Sequence, residues 1–255
     1  MRNIRLTLQY DGTRYAGWQV QKDRATIQGL LEEALFRITG ENLRVTGASR
    51  TDAGVHALGQ VAAFTTQSKL EPPVFLRALN AGLPEDIAVL DAAEEDDDFH
   101  PRYSALHKTY SYLIAGPGDC SLFLRKYAWV IPFRLDSGAM EEAACHMRGT
   151  KDFSSFRASG CSARNPVRSV TALEITRLPS FPFLTFSCRT PCIRITIRSQ
   201  AFLRHMVRNI VGTLVDVGRG KMRPDMMSEI LERRDRRAAG KTAPACGLFL
   251  EKIEY

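Results

Sequence analysis

Two periodicities follow one another in residues 3–40, and together they fix the class of fold. Ile4, Leu6, Leu8 and Tyr10 alternate with polar neighbours, the period-2 pattern of a strand with one buried face. From Thr26 onward the apolar residues fall instead at Ile27, Leu30, Leu31, Ala34, Leu35 and Ile38, the spacing of a helix with one apolar side. Thr26 is placed to cap that helix at its start and Gly40 at its end. "LRVTG" (43–47) and "GQVAAFTT" (59–66) read as further strands, "PPVFLRALNAGLP" (72–84) as a proline-initiated helix, and "DIAVLDA" (86–92) as a closing strand. The order is βαββαβ, a helix-on-sheet unit.

The second half repeats the plan without repeating the sequence. "HKTYSYLIAG", "KYAWVI", "SVTALEITRL", "CIRITIRS" and "GLFLEKIEY" read as strands. "DSGAMEEAACHMRG", "AFLRHMVRNIVGTLVDVGRG" and "PDMMSEILERR" read as helices. The fold class expected is therefore α+β: two βαββαβ-type units with mostly antiparallel sheets and an active-site cleft between them. The acidic run "EEDDD" at residues 94–98 reads as a solvated connector. It sets the division at residues 1–100 and 101–255, with the boundary near residues 94–106.

Charge separates the two halves. Residues 1–98 carry 10 Lys/Arg against 15 Asp/Glu, whereas residues 99–255 carry 25 against 13, so the net +7 is −5 plus +12. A basic second half suits a polyanion. In it Arg194 and Arg198 share one strand face, opposite Ile193, Ile195 and Ile197, and Arg204, His205, Arg208 and Asn209 lie off the apolar stripe of the long helix. The six cysteines, Cys120, Cys145, Cys161, Cys188, Cys192 and Cys246, are dispersed without the paired spacing of a zinc site. No signal-peptide core and no membrane-length apolar run occurs, so a cytoplasmic protein with reduced thiols is expected.

"GASRTDAGVHALGQ" (47–60) falls between two predicted strands, where glycines and small residues permit a tight backbone and close approach of a ligand. Taken by itself, Asp52 could be a turn residue, an ion-pair member or a nucleophile. His56 could be a base or a structural ring.

Six stretches in order resemble the successive motifs of the TruA-type tRNA pseudouridine synthases: "YDGTRYAGWQVQ", "GASRTDAGVHALGQVAAF", "FHPRYSALHKTYSYLI", "KDFSSFRASGCSARNPVRSV", "AFLRHMVRNIVGTLVDVG" and "APACGLFLEKIEY". The resemblance spans nearly the whole chain. It implies that Asp52 is the catalytic aspartate, that Tyr110 is the tyrosine that stacks on the target base, and that Arg208 is the arginine paired with the catalytic carboxylate. It gives Arg50 to RNA entering the cleft. Ser49 stands where many members have glycine, and "GLFL" where many have "GLYL".

The activity implied is isomerisation of uridine to pseudouridine at positions 38, 39 and 40 in the anticodon stem-loop of tRNA, by a homodimer that uses neither cofactor nor metal. Two rival readings make different predictions. A non-catalytic RNA-binding protein would leave the nucleosides unchanged, and a hydrolase using Asp52 and His56 would release uracil or cleave the RNA.

Overall fold

The computed structural model describes residues 1–118, 121–178, 181–183 and 186–255. The chain divides into two compact units, Met1–Lys108 with Phe249–Tyr255 and Thr109–Leu248.

The first unit runs β1 (Arg2–Tyr10), α1 (Ile27–Thr39), β2 (Thr46–Gly47), β3 (His56–Thr66), α2 (Pro72–Gly82) and β4 (Ile87–Glu95). β1 lies antiparallel between β3 and β4, with Leu6 opposite Ala62 on one side and Ala92 on the other. The period-2 reading holds along it, since Ile4, Leu6, Leu8 and Tyr10 are all buried. α1 starts where Thr26 accepts from the Gly29 N–H and ends at Gly40, whose φ of +73° closes the last turn. Its buried residues Leu31 and Leu35, with Phe75 and Leu79 of α2, help form the core. Burying each such side chain contributes about 1.5–3 kcal/mol.

Two elements differ from the sequence reading. The strand expected over 43–47 is only Thr46–Gly47, because α1 has already taken the backbone of Val45. Gln28 Nε2 donates to Val45 O at 3.0 Å and Glu32 Oε1 accepts from Val45 N at 3.0 Å. The acidic run is also not all connector. Glu94 and Glu95 extend β4, where Arg2 holds Glu94 at 2.7 Å and Arg5 holds Glu95 at 2.6 Å.

The second unit contains β5 (His107–Ala115, from Thr109 on), α3 (Ser121–Leu124), β6 (Trp129–Val130), α4 (Ser137–Cys145), β7 (Gly149–Asp152) and β8 (Val167–Leu178). β9 (Phe181–Phe183), β10 (Phe186–Cys188), β11 (Cys192–Ser199), α5 (Met206–Gly218) and α6 (Met226–Arg233) follow. Its sheet runs β5-β11-β8-β7, with β6 beside β5 and β9-β10 a separate antiparallel pair. β8 and β11 pair antiparallel, Ile195 facing Ile175 and Ile197 facing Leu173. β7 and the β9-β10 pair are additions to the order read from the sequence. Cys145, Cys161, Cys192 and Cys246 are free thiols, and Cys120 lies outside the described residues. Among the described residues, no helix is long and apolar enough to cross a membrane.

The last strand, β12 (Leu248–Glu254), returns to the first unit from Phe249 onward and pairs parallel with β3, Phe249 opposite His56 and Leu250 opposite Ala57. Both units are thus α+β and built mainly on antiparallel pairs.

Candidate active site

The connection from β2 to β3 carries RTDAGV, with the last two residues of the motif, His56 and Ala57, already in β3, and its backbone is held from several directions. The Gln60 carboxamide accepts from Ser49 N at 3.1 Å and donates to Ser49 O at 2.7 Å. Thr51 shares a 2.8 Å hydroxyl hydrogen bond with Tyr10, and its carbonyl accepts from Trp18 N at 3.0 Å. Burial pushes the Tyr10 phenol up to about 12, so it stays a neutral partner. Val55 N closes a turn onto Asp52 O at 3.1 Å, and Gly54 N reaches Tyr15 O at 3.3 Å.

This nesting explains "YDGTRYAGW". Gly17 has φ +100°, and a Cβ added there would lie 2.6 Å from Thr51 O, so only glycine lets the 15–18 segment lie along the loop. Asp52 itself is partly buried. A carboxylate between fixed neighbours gives up little freedom when it engages a substrate.

His56 begins β3 and belongs to the interior. Only 1% of it is exposed, and its ring stacks on Phe249 at 4.8 Å between centroids. Gly12 N lies 3.1 Å from Nδ1, so this ring nitrogen faces the backbone of residues 11–13. Asp11 Oδ1 lies 3.1 Å from the same nitrogen and also accepts from Thr13 N at 2.9 Å.

Arg50 is exposed on the rim of a groove of about 300 Å³ in the first unit, whose walls include Trp18, Arg44, His100, Arg102 and Tyr103. Lys108, which sequence reasoning passed over, is buried and donates from Nζ to Ala48 O at 2.5 Å at the entry to the Asp52 loop. Burial, with Arg102 nearby, lowers its ammonium to about 8.

In the second unit Tyr110 lies on β5 and Arg208 in the first turn of α5. Tyr110 is 6% exposed, its ring edge-on to Phe202 at 5.1 Å. Arg208 Nε donates to Ala243 O at 2.8 Å while Ala243 N donates to Arg208 O at 3.0 Å, which pins the base of the side chain.

α5 starts later than its apolar stripe suggests. His205 takes φ +60° ahead of Met206, and Arg204 precedes the helix. Asn209 is not surface-facing as its position off the stripe suggested. It is fully buried, donating to Phe156 O at 2.7 Å and accepting from Thr242 Oγ1 at 2.7 Å and Arg236 Nη2 at 3.1 Å.

A family model described as tRNA pseudouridine synthase matches residues 7–104 and 143–255. The chain is 41% identical to tRNA pseudouridine synthase A of Thermodesulfovibrio yellowstonii and 45% identical to that of Acetivibrio thermocellus, over 255 residues and the full length of both chains in each case. It is 44% identical, again over the full length of both, to the protein of the same description from Pelobacter propionicus. The chain belongs to the tRNA pseudouridine synthase family.

Within the synthase the motifs divide by task. Gln60, Tyr10, Gly17 and Trp18 hold the Asp52 loop, and Asn209 ties α5 to Phe156. Gln60 and Lys108 carry a signal in the sequence, a polar residue at an inward strand position, which is legible only once the strand's buried face is assigned.

Proposed function

We propose that the synthase isomerises uridine to pseudouridine at positions 38, 39 and 40 of the tRNA anticodon stem-loop, with Asp52 as its catalytic carboxylate. It acts in the cytoplasm as a homodimer and without a cofactor. The supporting observation is the fixed backbone of RTDAGVHA around Asp52, in a chain 41–45% identical over its whole length to proteins described as tRNA pseudouridine synthase A.

The reaction breaks the bond from ribose C1′ to N1 and rejoins C1′ to C5. C5 gives up a proton and N1 gains one, so the product is an isomer and no redox partner is required. A carboxylate serves as nucleophile or as base toward the ribose. The detached uracil must be shielded from water and held while it turns. Tyr110 provides the stacking ring, Arg208 the active-site arginine and Arg50 a contact to incoming RNA. Leaving the stack costs the target a few kcal/mol, offset by phosphate contacts.

Nucleoside analysis of tRNA incubated with the pure protein tests this reading. Pseudouridine without free uracil is expected from the wild type. Asp52→Asn should bind tRNA and form none. Unchanged nucleosides would leave an RNA-binding protein, and free uracil or cut RNA would leave a hydrolase.

A further inference from the structure

We infer that Tyr103, backed by His100, is a stacking platform for an unpaired nucleobase of the bound RNA, a second base position besides that of the target uridine. The inference rests on the reading of the chain as an RNA-modifying enzyme. Tyr103 is 74% exposed, and an isolated exposed tyrosine would need no explanation. This one is held in place. Its ring lies against His100 at 4.3 Å between centroids. The turn beneath is closed by Tyr103 N and Ser104 N donating to His100 O at 3.1 and 2.9 Å, and by His100 N donating to Ser104 Oγ at 3.1 Å. Arg102 N and Tyr103 N also donate to His100 Nδ1 at 3.1 and 3.3 Å, which holds the imidazole in place as a backing ring.

These contacts already orient the tyrosine before any ligand arrives, which lowers the cost of stacking on it. Its surroundings select the ligand. Arg102 sits 5.7 Å from the ring centroid, and Arg50 and Arg44 line the same groove. Glu32 offsets Arg44 at 3.2 Å, and among the described residues no carboxylate lines the groove. Cations for phosphates beside an open aromatic face for a base are the two components of single-strand recognition. A second copy of the chain is disfavoured there, because a symmetric contact would set the same arginines against each other.

The test compares a short unstructured single-stranded RNA with a blunt RNA duplex of equal phosphate count, by fluorescence anisotropy on the full chain. Tyr103→Ala should weaken single-strand binding roughly 5- to 150-fold, the range of one lost base stack, and leave duplex binding unchanged. Tyr103→Phe should keep both. Equal affinity of Tyr103→Ala and wild type for the single strand would overturn the platform, as would an equal loss for both RNAs. A change in sedimentation without a change in single-strand affinity would also overturn it, in favour of self-association. Pseudouridine formation by the wild type is assayed alongside. Its absence would count against the isomerase reading, whereas its presence without strand discrimination would count against the platform alone.

Discussion

Gln60 pairs its side-chain amide with the backbone of Ser49 as a neighbouring strand would, accepting at 3.1 Å and donating at 2.7 Å. Three residues further along the chain is Asp52. Gln60→Leu keeps approximate volume and strips both hydrogen bonds, so a stability loss of about 1–3 kcal/mol is expected by chemical denaturation. Because the carboxylate would lose its fixed approach, turnover should fall on the order of 10–100-fold while the Kd for tRNA holds. Full turnover in a destabilised variant would show that the clamp serves only the fold.

Gly17 and Gly40 separate backbone strain from collision. Both have positive φ, but a Cβ at Gly40 meets nothing within 4 Å, whereas one at Gly17 would meet Thr51 O at 2.6 Å. Gly40→Ala should cost about 1 kcal/mol for the left-handed cap. Gly17→Ala should cost clearly more and should also reduce activity. Equal melting-temperature shifts would contradict the close approach seen at Thr51.

Lys108 makes stability depend on pH in a direction opposite to an ordinary ion pair. Its folded value of about 8 is below its unfolded one, so between pH 8 and about 10.5 the unfolded chain binds more protons. Stability therefore rises with pH across that window, by up to about 3 kcal/mol, as the buried ammonium loses its charge. Tyr10, raised to about 12, works the other way only above pH 10. Denaturant midpoints from pH 7.5 to 10 should climb for the wild type and stay flatter for Lys108→Met.

Tyr110 has little exposed surface, and its ring is fixed against Phe202. Tyr110→Phe keeps the ring face and removes the hydroxyl, while Tyr110→Leu keeps bulk and removes the π-surface. A stacking role predicts that Phe retains tRNA binding and Leu forfeits roughly 1–3 kcal/mol. A proton-transfer role predicts that Phe binds normally and slows single-turnover chemistry on the order of 10²–10⁴-fold. Normal rates for both variants would remove Tyr110 from the uracil.

The features legible in the sequence were those decided locally. Thr26 and Gly40 bracket α1 as their cap chemistry requires, and β1 buries every second residue. Val45 was misread as a strand residue because Gln28 and Glu32, far back on α1, take its backbone groups, a competition that periodicity does not register. The same limit hid His205, whose positive φ starts α5 after its apolar stripe begins, and Asn209, whose three partners come from distant segments. The roles proposed for Asp52 and Arg50 rest on the motif alone. As single residues they left alternatives open, since a loop carboxylate commonly serves its own turn.

The parallel pairing of β12 on β3 makes the first unit discontinuous in the chain, and this bears on how a nascent chain matures. Synthesis runs from the N-terminus, so residues 249–255 emerge only after all of 109–248 has been made. Until then β3 lacks its β12 neighbour and His56 lacks Phe249 against its ring. A ribosome carrying only the first 108 residues therefore holds the Asp52 loop on an unfinished support, and completion of the unit waits on a long-range closure that is slow by its topology. The carboxylate is translated early and completed late.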